Sequence, residues 1–387
     1  MASFYKRGKT WSFSMDVGLD KDGKRKKKGV GGFRTKKEAE EAAARLKIEL
    51  TEGTYIEETD LNFSDYAEKW LKKYSVQVKK GTARIRQNEI NNLKYYFNLI
   101  KLHDISKQQY QDALIDLLNR GYAENTIAGI HGTARMIFKK AIELDLIKKD
   151  PTEFARPPRK QQTLEDIENE DEIPRFLEKN ELATFLRFAH DAGLKDDYTV
   201  FLLLAYTGIR IGELCALKWA DIDFSEHTIR ITRTYYNPKN NIQKYDLEPP
   251  KTKASKRTIK VSERVIKELQ IHLARQNKTK MRQRDIWHDK DFIFTVEKYP
   301  GYPIYIKLVE GRMARLLKIA DLPPELTPHS LRHTHTSLLA EAGVGLEEIM
   351  QRLGHTDDDI TRRVYLHITK DMKKEAAHKF DQLMDNL

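Results

Sequence analysis

Thr207-Gly-Ile-Arg-Ile-Gly-Glu-Leu214 is the stretch on which the reading of this chain turns. The apolar run Asp196–Tyr206 has the length of a helix, Thr207-Gly208 punctuates it, and Arg210 stands just past that turn at the start of the next helix. By itself Arg210 could simply pair with Glu213 as a structural salt bridge. Three further segments downstream share its character of polar groups set among apolar ones. Pro250-Lys-Thr-Lys-Ala-Ser-Lys-Arg-Thr-Ile259 reads as a basic strand-turn-strand, and Lys251 and Lys253 could be no more than an exposed hairpin tip. His329-Ser-Leu-Arg-His333 follows Pro328 and opens an apolar helix. Its two histidines, four apart, could share a helix face as metal ligands, but no Glu stands beside the first as in HExxH, and Arg332 between them would repel a cation. Leu353-Gly-His355 is followed ten residues on by Tyr365, within Arg362-Arg-Val-Tyr-Leu366, where a half-buried core aromatic is the plain alternative.

Outward from these segments, the chain reads as multidomain, mostly α with small β-sheets. Its 387 residues exceed one ordinary core. Hydrophobic residues make up 40%, no apolar run reaches the ~20 residues of a membrane span, and the first residues lack the apolar core of a signal peptide. Cys215 is the single cysteine, which excludes an internal disulfide, a thiolate cluster and a CxxC pair. A cytoplasmic protein is expected, with no membrane partner. The net charge is +11, from 69 basic and 58 acidic residues. Residues 1–50 hold 14 basic and 7 acidic side chains, so +7 of that surplus lies in the first eighth. A concentrated excess of Lys and Arg suits a phosphate backbone, whose counterions it displaces.

Within 1–56, Thr10–Val17 and Lys28–Arg34 read as strands around a turn and the run Lys24-Arg25-Lys26-Lys27-Lys28, which is either a solvated hairpin tip or a DNA contact. Thr35-Lys-Lys-Glu38 is a capping-box signature for a helix to about Leu50. Residues 61–158 read as all-helical, with segments Asp65–Tyr74, Thr82–Leu99, Lys107–Leu118 and Asn125–Leu144. Lys79, Lys80, Arg84, Arg86, Lys139, Lys140, Lys148 and Lys149 are candidate backbone contacts there, each also readable as an exposed helix face. Residues 159–173 form a linker, since Gln161–Glu172 carries six acidic residues and no basic one. The block 174–387 mixes helices with short strands, Thr228–Tyr235 and Arg257–Val261 among them. Its tail, Lys370–Leu387, places Met372, Ala376, Phe380, Leu383 and Leu387 on one helix face.

Taken in order, the Arg of TGIRIGEL, the Lys of PKTKAS, HxLRH, LGH and a terminal Tyr resemble the tyrosine recombinases, or phage-type integrases. The likeness covers the whole chain. Residues 1–56 resemble the arm-site-binding domain of integrases from temperate phages and integrative conjugative elements of low-GC Gram-positive bacteria, 61–158 their helical core-binding domain, and 174–387 their catalytic domain. The resemblance implies site-specific integration and excision by cutting and rejoining DNA. Tyr365 would be the nucleophile forming a 3′-phosphotyrosine. Arg210 and Arg332 would bind the non-bridging phosphate oxygens, which suits the planar fork of a guanidinium. Lys251 would protonate the leaving 5′-oxygen, with Lys253 the alternative; His329 would help accept the phenol proton, and His355 would donate to a phosphate oxygen. Lys256 and Arg257 would line the DNA, Glu213 would buttress Arg210, and the role of His333 stays open.

The same resemblance implies no metal and no cofactor, because the covalent intermediate conserves the phosphodiester energy. It implies double-stranded attachment sites as partners, a homotetramer on DNA joined through the C-terminal helix, and an excisionase or host DNA-bending protein as accessory, at the bacterial nucleoid. Two other classes compete. A non-enzymatic DNA-binding regulator would leave the six scattered residues unexplained, and a type IB topoisomerase would have no need of a separate N-terminal DNA-binding block.

Overall fold

A computed structural model describes residues 2–19, 23–53, 55–56, 59–160, 175–250, 253–354 and 359–369. The acidic stretch 161–172, Lys251, His355 and the tail 370–387 therefore lie outside the described residues. No helix among those described is long and apolar enough to cross a membrane. The chain divides into two compact units, 1–163 and 164–387.

The first unit opens with three antiparallel strands, β1 (Ser3–Arg7), β2 (Thr10–Leu19) and β3 (Arg25–Phe33), in that order across the sheet. Alternation along β2 turns Phe13 and Met15 onto Ala39, Ala43 and Leu46 of helix α1 (Lys36–Thr51). Thr35 caps α1 by accepting from the Glu38 amide at 3.2 Å, and the Glu38 carboxylate accepts from the Arg34 amide at 2.9 Å. Two expectations change here. β1 adds an edge strand that periodicity did not reveal, because four of its five side chains are exposed. The basic run is not a hairpin tip either: Arg25–Lys28 lies inside β3, paired with β2.

Four helices follow: α2 (Phe63–Ser75), α3 (Lys80–Phe97), α4 (Lys107–Asn119) and α5 (Glu124–Glu143). Their apolar stripes meet around Phe63, Tyr66, Trp70, Leu93, Phe97, Tyr110, Leu114, Ile127 and Phe138. Asn62 caps α2, Ser106 and Gln109 form a reciprocal capping box on α4, and Gly121 takes φ +83° where the chain leaves α4. Three of the basic residues read as candidate DNA contacts are engaged internally, Lys140 among them with Glu143. Arg86 donates to Glu89 at 2.7 Å and to Thr133 at 2.9 Å, and Lys148 pairs with Glu49 at 2.6 Å.

In the second unit, α6 (Lys179–Asp191), α7 (Asp197–Thr207), α8 (Ile211–Cys215), α9 (Glu263–Arg282), α10 (Ile306–Ile319), α11 (Ser330–Glu341), α12 (Leu346–Leu353) and a helix over 359–369 surround short strands. Helix α7 is apolar all round, Val200–Ala205 being fully buried, so it forms the spine of the core. The expected single strand Thr228–Tyr235 is two, β5 (Thr228–Ile231) and β6 (Thr234–Tyr236). Of the strand-turn-strand expected over 250–259, the described residues form a 3-10 turn at Lys253–Ser255 followed by one strand. Strand β8 (Arg257–Lys260) joins β5 and β4 (Ile222–Asp223) in one sheet, while β6 pairs with β7 (Asp246–Glu248) in another. Pro249 and Pro250 have no N–H for a ladder, which ends β7 before the basic segment begins.

Candidate active site

Gly208 closes α7 in the left-handed region at φ +62°, and two residues later Arg210 is the N-cap of α8. This sharp reversal brings Arg210 back beside Glu213. The Arg210 amide donates to one Glu213 oxygen at 3.0 Å and its guanidinium to the other at 3.1 Å. Glu213 also receives both terminal nitrogens of Arg257, at 3.2 and 2.8 Å. Side-chain exposure separates the roles: Arg210 keeps 36%, whereas Glu213 and Arg257 keep 3% and 6%. Burial alone would raise the Glu213 pKa, but hydrogen bonds and charge from Arg257, then from Arg210, outweigh it and hold the carboxyl below its usual range. One buried anion thus neutralises Arg257 and steadies a second, half-open cation. The expectation that Arg257 lines the DNA is corrected: its fork is spent on Glu213, and it also donates to the carbonyls of Arg352 (2.8 Å) and Ser255 (3.1 Å).

Arg332 lies in the first turn of α11, three residues after His329, and is 2% exposed. Its two terminal nitrogens donate to the carbonyls of Gly208 at 2.6 Å and Leu353 at 2.7 Å. A single guanidinium therefore joins the turn that carries Arg210 to the turn that opens the Leu353-Gly354 segment. A third motif arrives at the same place. Gly354 takes φ +70°, and a Cβ there would sit 3.1 Å from the Ala254 carbonyl and 3.1 Å from Ser255 Cα. The absence of a side chain lets the 3-10 turn Lys253–Ser255 lie against it. Tyr365, in the helix over 359–369, is half-buried and packs on the cluster of Ala340, Ile349 and Leu353, the residue whose carbonyl Arg332 holds.

The rings of His329 and His333 meet edge to face at 4.9 Å. Lys256 is exposed beside β8. The side chain of Lys253, like Lys251 and His355, lies outside the described residues. In the first unit Lys24, Arg25, Lys26, Lys27, Lys80 and Arg84 are exposed, while Lys28 and Lys79 are half-buried; Lys28 stands 5.2 Å over the Tyr55 ring. Sequence reasoning missed Arg352 and His335, whose side chains are interleaved with the motif segments. Neither carries a signal of its own, since Arg352 reads as a helix-end cation and His335 as one polar position in an apolar helix.

The assembly sets a half-open arginine, a clamped arginine, a basic turn and a phenol-bearing helix on one part of the second unit. Such a grouping is suited to an anionic centre. The model of the phage integrase family matches residues 175–372, the arm DNA-binding domain model matches 3–50, and that of the phage integrase N-terminal SAM-like domain matches 62–118. Over 357 residues the chain is 28% identical to the integrase of Staphylococcus phage L54a, covering 88% of this chain and 98% of that protein. It is also 28% identical over 396 residues to a XerC-like tyrosine recombinase of Caldanaerobacter subterraneus subsp. tengcongensis, covering 98% of each. In fold it is similar to the Tn1549 transposon integrase solved with a circular intermediate DNA. The TM-score is 0.64 at 23% identity, over 82% of this chain and 99% of that one.

Proposed function

The chain belongs to the phage integrase family and is a tyrosine recombinase; from that premise we propose that it integrates and excises a mobile element by transesterification at Tyr365. The Tyr365 phenolic oxygen attacks the scissile phosphorus in line, the Tyr–O–P bond forms, and the P–O5′ bond breaks. The phenol proton passes toward His329, and Lys251 or Lys253 supplies a proton to the departing 5′-oxygen. Arg210 and Arg332 neutralise the non-bridging oxygens as their charge grows in the pentacoordinate transition state, with His355 donating to one of them. The 5′-hydroxyl of a partner strand then reverses the step and rejoins the DNA. No hydrolysis intervenes, so no energy source is consumed.

The observation that supports this most is the Arg332 clamp, because it holds the Arg210 turn and the Leu353-Gly354 turn on one guanidinium beside the cluster on which Tyr365 packs. A regulator that only bound DNA would have no use for buried cations braced in this way. On a DNA site nicked so that the cleaved end diffuses away, the wild-type protein accumulates a covalent adduct, and Tyr365→Phe binds the same site without forming one. An undiminished adduct in that variant overturns the assignment.

The domain roles follow the same reading. Residues 1–56 bind arm sites through Lys24, Arg25, Lys26, Lys27 and Lys28, residues 61–158 bind core sites with Lys79, Lys80 and Arg84 on the backbone, and 174–387 carry out cleavage with Lys253 and Lys256 beside the DNA. Residues 159–173 bridge the lobes without touching phosphate. The apolar face of 370–387 docks on a neighbouring protomer, giving a tetramer on paired attachment sites, and an excisionase or DNA-bending protein sets direction. The reaction takes place on double-stranded DNA in the bacterial cytoplasm.

A further inference from the structure

Arg352 and His335 carry none of the chemistry assigned above, yet they sit between the segments that do. The His335 ring is 6% exposed. Its Nδ1 lies 2.9 Å from the Ala205 carbonyl and its Nε2 lies 3.0 Å from Arg352 Nε. A carbonyl cannot donate and a guanidinium cannot accept, so Nδ1 carries the proton, Nε2 is the acceptor and the ring is neutral. Burial first, and then the Arg352 charge, push the His335 pKa down to about 3, in keeping with that state. The two remaining nitrogens of Arg352 donate to the carbonyls of Lys260 at 2.9 Å and Tyr206 at 3.2 Å.

These bonds meet the Arg332 clamp at both ends. Ala205 and Tyr206 form the last turn before Gly208, whose carbonyl accepts from Arg332, and a Cβ at Gly208 would meet the His335 ring at 2.7 Å. At the other end, Arg352 immediately precedes Leu353, whose carbonyl accepts from the second Arg332 nitrogen. Besides Arg332, these bonds link the two carbonyls through Arg352, which reaches Tyr206 directly and Ala205 by way of His335.

We propose that His335 and Arg352 are positioning residues for Arg332, fixing the spacing of the two carbonyls that aim its guanidinium at the scissile phosphate. This rests on the reading of Arg332 as a phosphate ligand. The ring supplies one donor and one acceptor on opposite edges, which lets it bridge a carbonyl and a guanidinium without bringing charge into the core.

The test is single-turnover cleavage by the full-length protein at saturating concentration. The nicked site carries either the natural phosphate or an uncharged methylphosphonate at the scissile position. His335→Phe keeps the ring volume and loses both nitrogens; Arg352→Lys keeps the charge and loses the fork. Both are expected to cleave the phosphate about 100-fold more slowly, the effect of an ångström of misplacement, with DNA affinity within about twofold of wild type. His335→Gln can donate to Ala205 and accept from Arg352 through one amide, and regains most of the rate. The methylphosphonate carries one negative charge fewer than the phosphate in both ground and transition state, which lessens the demand on Arg332, so the variants fall to within about threefold of wild type. Wild-type rates in His335→Phe, or an equal deficit on both substrates, overturn the proposal. Should His335→Phe fail to fold, Arg352→Lys and His335→Gln decide between the same outcomes. An adduct that survives Tyr365→Phe would instead sink the reading of function, so the two failures are told apart.

Discussion

Arg257 donates to both carboxylate oxygens of Glu213, at 3.2 and 2.8 Å, and both side chains are closed to solvent. Glu213 also accepts directly from Arg210, so a single buried carboxylate holds the half-open cation of the site and the closed one together.

Removing that carboxylate leaves a buried guanidinium without its counter-charge, a change that typically costs ~3–5 kcal/mol. Glu213→Ala is accordingly expected to lower unfolding stability by about that amount and to reduce cleavage through loss of the Arg210 brace. Urea unfolding and the adduct assay read the two effects, and a Glu213→Ala variant as stable as wild type contradicts the brace. The pair also has a pH signature. The Glu213 pKa is lowered on folding from its ordinary 4.5, so its contribution is complete above pH 4.5 and is lost as pH falls below that toward the folded value.

His335 acts in a different window. Its pKa is about 3 in the folded chain against an ordinary 6.5. Because the unfolded chain binds the proton more readily, the stabilisation is complete above pH 6.5 and is lost as pH falls from there toward 3. The slope approaches ~1.4 kcal/mol per pH unit. Urea unfolding at pH 7 and pH 5 measures it, and His335→Gln, which does not titrate, is expected to lose less stability across that interval. Identical pH dependence in the two proteins excludes a buried neutral ring.

Lys251 and Lys253 are separated by leaving-group chemistry. Replacing the scissile 5′-oxygen by sulfur makes a leaving group that needs no proton. The alanine variant of the general acid is expected to be slowed about 10²–10³-fold on the natural site and restored by the sulfur substrate. The alanine variant of the other lysine is expected to show no such rescue. Equal behaviour of both variants on both substrates removes the general acid from this segment.

Deleting residues 1–56 is expected to spare cleavage of isolated core sites while impairing assembly on full attachment sites. The deletion removes Glu49, the partner of Lys148 at 2.6 Å, but an accessible pair of this kind contributes only ~0–1 kcal/mol. Gel-shift and cleavage assays on core and full sites check this. Loss of core-site binding would place the boundary elsewhere.

The helical parts were legible in the sequence because each helix buries one face and many announce their ends. Thr35 caps as its spacing implies, and Gly121 and Gly208 adopt the left-handed conformation that ends a helix. The motif segments stand out in the sequence as a set, since Arg210, Lys251, His329, Arg332, His355 and Tyr365 follow an order that single positions do not convey; of them the structure describes Arg210, His329, Arg332 and Tyr365. What escaped was set by partners distant in the chain. β1 is held by backbone pairing and leaves almost no side-chain pattern. Arg257 reads as one more cation in a basic segment until Glu213 closes over it. Arg352 and His335 acquire meaning only where α7, α11, α12 and the end of β8 converge. A charge count cannot separate a cation that meets solvent from one that spends its nitrogens on carbonyls.

Arg332 donates to the carbonyls of Gly208 and Leu353, which lie on opposite sides of most of the second unit's sequence. The Arg332 clamp therefore cannot exist in a chain that has made only part of that unit. A nascent or partly unfolded molecule still exposes basic residues and can cling to DNA, yet it has no centre with which to break a strand. Cutting is withheld from every state except the one that can also rejoin.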